Sequence, residues 1–294
     1  MEKHPKTLVL LDGNALIHRS YHALPPMTTK SGESVNAVYG FTTTLFAVLE
    51  KFKPDYIAAS FDLPGGTFRD ELYKEYKATR QAAPDDLYAQ IPRVKELVQA
   101  FNIPIYEQKG FEADDCVGTL ARQAEESGVN VIIVTGDTDT LQLVTDKVKV
   151  FTLRKGIKDM VLLGPEAVQA KYGFPAERLV DYKGLRGDSS DNIPGVKGVG
   201  EKTATELIQQ PGSLEKIDAH LDEVKPKVSE KLEADRDMAY LSKKLGTIDT
   251  QAPVTLDLKA TEADDFDQEA IKHFLRELEF FSLLKRVPGD SGSI

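Results

Sequence analysis

Four short apolar runs each lead, within a few residues, to a carboxylate, and this recurrence narrows the folds open to the chain. Asp12 ends Leu8-Val9-Leu10-Leu11, and Asp62 ends Tyr56-Ile57-Ala58-Ala59-Ser60-Phe61. Glu112 follows Ile103-Pro104-Ile105-Tyr106 after a short loop, and Asp137 follows Val129-Asn130-Val131-Ile132-Ile133-Val134. Helix-like stretches separate the runs. Alternating strands and helices make an α/β fold with a mainly parallel central sheet and flanking helices. In such an open sheet the strand ends line one edge, where ligands bind. Asp114, Asp115, Asp139, Asp188 and Asp191 bring the acidic set to nine. Crowded together, these groups repel and call for a cation. An all-oxygen ligand set suits Mg²⁺ or Mn²⁺.

The expected strands are 7–11, 56–61, 103–106, 129–134 and 148–153, with helices over 14–21, 36–51, 86–101 and 112–127. Around 171–175 the pattern changes to short helices joined by Gly and Pro turns, expected over 177–185, 201–209, 214–220 and 270–284. A domain boundary is expected there. It divides a catalytic α/β domain, 1–173, from a helical domain, 174–287, and a Gly- and Ser-rich tail or linker follows at 288–294.

Composition removes several classes. The hydrophobic fraction of 41% suits a packed core, and no apolar run nears the roughly 18 residues of a membrane span. The first six residues carry no secretory signal pattern. A single cysteine, Cys116, excludes an internal disulfide and is expected to be a small buried apolar group. A cytoplasmic monomer with no membrane contact is expected. The net charge of −10 argues, taken alone, against a nucleic-acid partner. Carboxylates reserved for cations account for much of that charge, and the basic residues cluster.

One cluster lies in the long segment 63–85. There Arg69, Lys74, Lys77 and Arg80 alternate with Phe68, Tyr73 and Tyr76. Long irregular connections in compact domains are usually functional, and basic residues interleaved with rings suit single-stranded nucleic acid. A solvated amphipathic helix is the plainer alternative. Glu112 and Asp115, three apart at the start of a helix, share a face, and an acidic helix cap alone would explain them. Asp137 and Asp139 form a second pair on a loop leaving a strand; Asp188 and Asp191 form a third, again three apart. Two ions about 3.5–4 Å apart can activate water and stabilise a leaving oxygen, with no Ser, Cys or His nucleophile. His4, His220 and His273 lie far from these motifs in sequence, whereas His18 and His22 flank Arg19 on the first helix.

The stretch Asn192-Ile193-Pro194-Gly195-Val196-Lys197-Gly198-Val199-Gly200-Glu201-Lys202-Thr203-Ala204 reads as helix, tight Gly hairpin, helix, over about 190–210. Its exposed backbone N–H groups suit phosphates, and Lys197 and Lys202 add charge. Such a hairpin holds a duplex backbone without reading its sequence.

Together these motifs resemble the 5′–3′ exonuclease (5′ nuclease, flap endonuclease-like) domain of bacterial DNA polymerase I. The resemblance rests on Leu11-Asp12-Gly13, Ala37-Val38-Tyr39-Gly40-Phe41, Phe61-Asp62, Phe68-Arg69-Asp70-Glu71, Tyr76-Lys77, Glu112-Ala113-Asp114-Asp115, Thr135-Gly136-Asp137, Gly187-Asp188-Ser189-Ser190-Asp191-Asn192-Ile193-Pro194-Gly195-Val196 and Gly200-Glu201-Lys202-Thr203-Ala204. It runs from about residue 7 to residue 287 and implies a PIN-like, Rossmann-like sheet domain followed by a helix-hairpin-helix (H3TH) domain. It further implies that Asp12, Asp62, Glu112 and Asp114 surround one metal ion and Asp115, Asp137, Asp139, Asp188 and Asp191 another, with two or three Mg²⁺ or Mn²⁺ in all. Lys77 and Arg80 on the arch would contact the scissile phosphate, with Asp115 beside them in catalysis. Tyr76 would stack near the terminal base, and Arg19 and Arg69 would hold the entering strand. Gly195, Lys197, Gly198, Gly200, Lys202 and Thr203 would bind duplex phosphates, with room for K⁺ on the hairpin carbonyls. The implied partner is DNA with a 5′ flap, nick or 5′ end, including RNA-primed duplex. Thr138 stands where family members often carry Lys, so a phosphate contact at that position does not carry over.

Two readings place the chain either in a longer polymerase or as a free-standing relative. Outside the family, a metal-dependent single-strand ribonuclease would share the acidic edge but leave the hairpin unused. A duplex-binding module would leave nine carboxylates unexplained. A phosphatase with a nucleophilic Asp needs a second Asp two residues on, where this chain has Asn14.

Overall fold

A computed structural model describes residues 5–155, 159–210, 212–264 and 266–289. The end of the expected tail, 290–294, lies outside the described residues. Among these residues six strands form one sheet: β1 (Thr7–Asp12), β2 (Tyr56–Ser60), β3 (Ile105–Tyr106), β4 (Asn130–Thr135), β5 (Val148–Lys155) and β6 (Asp159–Leu163). Their order is β3-β2-β1-β4-β5-β6, with every pair parallel except β5–β6. The antiparallel edge strand β6 was not anticipated. At the other edge, β3 is shorter than expected because Pro104 has no N–H to give a ladder. Its carbonyl still accepts from Ala59 N at 3.0 Å.

Among the described residues thirteen α-helices surround the sheet: α1 (Gly13–Ala23), α2 (Asn36–Phe52), α3 (Phe68–Leu72), α4 (Asp85–Tyr88), α5 (Gln90–Ala100), α6 (Ala113–Glu126), α7 (Pro165–Tyr172), α8 (Leu179–Arg186), α9 (Glu201–Gln209), α10 (Leu214–Ala219), α11 (Pro226–Ala234), α12 (Arg236–Gly246) and α13 (Gln268–Glu277). The helix expected over 86–101 is split into α4 and α5. Pro92 fits only the first turn of a helix, so the second helix restarts at Gln90. The helix expected over 270–284 ends at Glu277, since Glu279 adopts a left-handed φ of 60°.

Successive strand residues point to opposite faces. Val9, Leu11, Ile57, Ala59, Ile132 and Val134 pack with α1, α2, α5 and α13 on one face. Leu8, Leu10, Ala58, Val131, Ile133 and Val150 pack with α6 and with α8, α9, α10 and α12 on the other. The helices after 174 thus share a core with the sheet. The expected helical domain does not keep its own end: Ile57 N donates to Thr261 O, and Ile271, Phe274 and Leu275 of α13 are buried in the first core. The division at 173/174 falls at the left-handed Gly173 that ends α7, but residues 261–287 return to the α/β body. Among the described residues no helix is long and apolar enough to cross a membrane.

Candidate active site

Strand ends β1, β2 and β4 open into a cleft of about 380 Å³ lined by Asp12, Asp62, Glu112, Asp114, Asp137, Asp139 and Asp191. Seven of the nine expected carboxylates therefore meet in one place. An eighth, Asp188, lies in an adjoining cavity of about 250 Å³ that shares Asp137 and Asp139 with the first. His18, Arg19 and His22 from α1 line the cleft opposite, and Tyr76, Lys77 and Arg80 from the arch close over it.

Each carboxylate is positioned by its element. Asp12 caps α1, accepting from Ala15 N at 3.1 Å, and its second oxygen accepts from Thr135 Oγ1 at 2.6 Å. Asp62 accepts from Ala113 N at 2.7 Å, at the N-terminus of α6, while its own N–H donates to Asn14 Oδ1 at 3.1 Å. Asp137 accepts from Asp139 N at 2.8 Å. Thr135 and Asn14, which help set this geometry, were missed because neither carries charge.

The electrostatics are those of unmet repulsion. Desolvation pushes Asp12 up to about 7, and Asp62 and Asp137 add like charge. Desolvation also raises Asp114 well above the usual carboxylate range, helped by Asp12, Asp137, Glu112 and Asp139. Among the described residues no three groups converge into a ready-made ion cage. The donor set nevertheless fits a divalent cation: buried oxygens, like-charged, on a sheet edge. The folded protein keeps protons here that the unfolded chain has released, so without metal these groups make the fold less stable as pH rises from about 4 to about 7. His18, lowered by desolvation, works in the opposite sense. A comparison isolates Asp12. In chelator, Asp12→Asn should melt near the parent at pH 4 and progressively above it toward pH 7. A gap in melting temperature that does not widen with pH would contradict this.

Four expected site residues take other roles. Asp115 is fully buried and outside the cleft. Its oxygens accept from Arg69 Nη1 and Nη2 at 2.8 and 2.7 Å, from Glu112 N at 3.0 Å and from Asp249 N at 2.8 Å. It closes a capping box with Glu112 and is not positioned as a metal ligand. Arg69, only 2% exposed, also donates to the carbonyls of Leu245 and Thr247, so although it lines the cleft its guanidinium is engaged by the protein itself. Tyr76 packs its ring on Ile193 and Leu245, and its hydroxyl lies 3.3 Å from both Glu112 and Asp191. It props the arch instead of offering a face to a base. Gly195 is buried against Gly187, where a Cβ would meet Gly187 N at 2.3 Å, so it serves close backbone packing.

The arch is held down on the acidic edge. Lys77 Nζ lies 2.6 Å from Glu112 Oε1, and Arg80 pairs with Asp191. Lys77 N donates to Asp191 O at 2.9 Å while the residue holds a left-handed φ of 54°, and Asn192 Nδ2 donates to Glu75 O at 2.6 Å. A non-glycine residue at such a φ persists only where its surroundings impose it.

Lys183, in the last turn of α8, was missed. Its ammonium pairs with Asp139 and lies 2.9 Å from Asp188 Oδ2. Against desolvation, those two carboxylates raise its pKa. Asp188, despite its own desolvation, is drawn down to about 2 by Lys183 and Ser190. A basic residue five places before Asp188 was the available signal.

The hairpin sits between α8 and α9. Lys197, Gly198, Gly200 and Lys202 are exposed and Thr203 is half-buried. Gly200 begins α9 with open space where its Cβ would stand. Lys231, also missed, donates from Nζ to Gly198 O at 2.8 Å. A tethered ammonium therefore already occupies one hairpin carbonyl.

A two-part family model covers this arrangement. The N-terminal resolvase-like domain of the 5′-3′ exonuclease matches residues 7–173, and its C-terminal SAM fold matches residues 174–269. The chain is 46% identical over 287 residues to DNA polymerase I of Bacillus subtilis, covering 97% of this chain and 33% of the relative. It is 45% identical over 284 residues to that of Caldicellulosiruptor bescii, covering 95% and 33%. It thus spans about a third of the length of these curated relatives. Among solved structures, T5 5′-exonuclease with bound divalent metal ions (zinc) superposes with a TM-score of 0.71 at 21% identity, covering 94% of this chain and 99% of that one. The catalytic core of Rad2 in complex with DNA substrate gives 0.60 at 17%, covering 94% and 89%. At these identities the likeness is one of fold. With two family models meeting at 173/174 and covering most of the sequence, the chain belongs to the 5′-3′ exonuclease family, whose members are nucleases.

Proposed function

We propose that the protein is a structure-specific 5′ nuclease that cleaves DNA by a two-metal-ion mechanism at a 5′ flap, nick or 5′ end. The observation that carries this is the meeting of seven carboxylates in one cleft beneath an arch bearing Lys77 and Arg80. Asp12, Asp62, Glu112, Asp114, Asp137, Asp139, Asp188 and Asp191 would hold the ions, Mg²⁺ or Mn²⁺. Bound there, the ions supply activation of water and charge neutralisation at the leaving oxygen. The remaining work belongs to the chain. The arch admits the 5′ strand, and Lys77 and Arg80, now paired with carboxylates, turn to the scissile phosphate. The hairpin grips the duplex behind it.

Similarity to DNA polymerase I over a third of its length supports a polymerase module in cis, and with it roles in primer removal and repair on RNA-primed or flapped duplex. We also propose the division at 173/174, a monomeric state and a location in the cytoplasm, at the nucleoid. A labelled duplex carrying a 5′ flap, compared with one carrying a 3′ flap and with single strand alone, tests the polarity. Efficient cleavage only at the 5′ flap is expected; equal cutting of single strand would favour the ribonuclease-like reading.

Two variants separate the parts. Lys77→Ala should lower the single-turnover rate at least tenfold, about 1.4 kcal/mol of barrier, and leave duplex affinity near the parent's. Weakened binding with an unchanged rate would remove Lys77 from the reaction. Gly200→Val meets open space in the free protein, so it should fold normally yet keep a phosphate from the backbone. Its affinity should fall equally for two unrelated duplexes at several salt concentrations. A loss confined to one sequence, or none, would take the hairpin off the DNA surface.

A further inference from the structure

The carboxylates of the cleft differ in the charges nearest them: Glu112 and Asp191 meet the arch cations Lys77 and Arg80, and the rest divide in two. Asp12 is bonded to neutral donors, Ala15 N–H and the Thr135 hydroxyl, and the charges acting most on Asp12 and Asp114 are those of other carboxylates. Asp139 and Asp188, by contrast, share one ammonium, that of Lys183. This is a built contact. The Lys183 side chain is only 15% exposed, and its stem passes so close to Gly246 that a Cβ there would meet it at 3.1 Å. Asp188 is also fixed on its other oxygen, by Ser190 N at 2.9 Å and Ser190 Oγ at 2.6 Å. The ammonium thus sits among rigidly presented oxygens, beside the Asp137–Asp139 pair that both cavities share.

We propose that Lys183 is a tethered cation seated in the second carboxylate group, so that the free protein takes up one divalent ion readily and a second only when Lys183 is drawn away. This rests on the metal-dependent reading above. The physical reason is competition. An ion entering between Asp139 and Asp188 must displace a charge that is already there at contact distance and mostly shielded from water. Asp12 and Asp114 pair with no such ammonium, so a cation there relieves repulsion; Lys77 holds only the neighbouring Glu112 and, at 27% exposure, is less enclosed than Lys183 at 15%. A phosphate arriving in the cleft offers the displaced ammonium a new anion, which would make loading of the second ion depend on substrate. Lys183 is in this account a positioning residue, acting through the carboxylates it holds.

The test is Mn²⁺ binding to the DNA-free protein, followed by calorimetry and by the loss of the free-Mn²⁺ resonance signal. The parent should show one tight site and a second at least tenfold weaker. Lys183→Met should tighten the second site at least tenfold and leave the first within about twofold, while Lys183→Arg, which keeps the cation, should behave as the parent. Lys183→Gln provides the same comparison if the methionine variant does not fold, judged by melting in chelator. A second-site affinity that is unchanged or weaker in the neutral variants would overturn the proposal and leave the nuclease reading intact. Binding of no Mn²⁺ by parent or variants, with or without a flap duplex, would instead overturn the metal-dependent reading on which it rests.

Discussion

Asp115→Ala should destabilise the protein by about 3–5 kcal/mol, the usual cost of leaving one partner of a buried ion pair alone. The Arg69 guanidinium would lose two hydrogen bonds while remaining 2% exposed, with only the carbonyls of Leu245 and Thr247 and a 3.5 Å contact to Glu112 as partners. The Glu112 and Asp249 N–H groups would lose their acceptor as well. Repulsion within a crowded acidic set would imply the opposite, that removing one acid brings relief. The structure reverses that sign because Asp115 is not in the set. Denaturant unfolding in chelator, where metal cannot contribute, measures the effect. The double variant Arg69→Met with Asp115→Leu should be less destabilised than Asp115→Ala, since no charge is then stranded. A loss below about 1 kcal/mol for Asp115→Ala would mean the pair contributes little.

Asp114→Asn should do the converse. It removes a carboxylate from the repelling group, so the metal-free fold should be as stable as the parent or more so. Cleavage of a flap substrate should fall at least about a thousandfold, roughly 4 kcal/mol of barrier. Paired melting curves and single-turnover rates decide it. A rate within about tenfold of the parent would exclude Asp114 as an ion ligand. The two neighbouring aspartates therefore carry separable predictions: one governs stability, the other the reaction.

That separation marks the limit of what spacing along the chain can show. Asp12, Asp62 and Asp137 were legible because a strand with a period of two, followed by a loop, puts its end on the binding edge of a parallel sheet. Glu112 and Asp115 were rightly placed on one helical turn. Which of them faces the cleft depends on Arg69, 46 residues from Asp115, and on carbonyls 176 and 178 residues beyond Arg69. Helical spacing carries no information about those partners. Tyr76 looked like a stacking ring because rings among basic residues suit nucleic acid, yet Ile193 and Leu245 bury it from elsewhere in the chain. Lys183 and Lys231 were missed for the same reason. Each is an ordinary surface residue in its helix until the fold brings a carboxylate pair or a carbonyl to it. Helix α11 buries only Leu232, which leaves a weak apolar signal, and of the four residues that α12 buries, Ala239, Ser242, Leu245 and Gly246, only Leu245 is large and apolar.

The most direct test of the central claim is the single-turnover cleavage of a 5′-labelled flap duplex at increasing Mg²⁺, with a chelator control. The acidic cleft predicts no cleavage above background in excess chelator, full recovery when Mg²⁺ is restored, and a rate that rises more steeply than first order at low Mg²⁺. Cleavage that persists unchanged in excess chelator would contradict it.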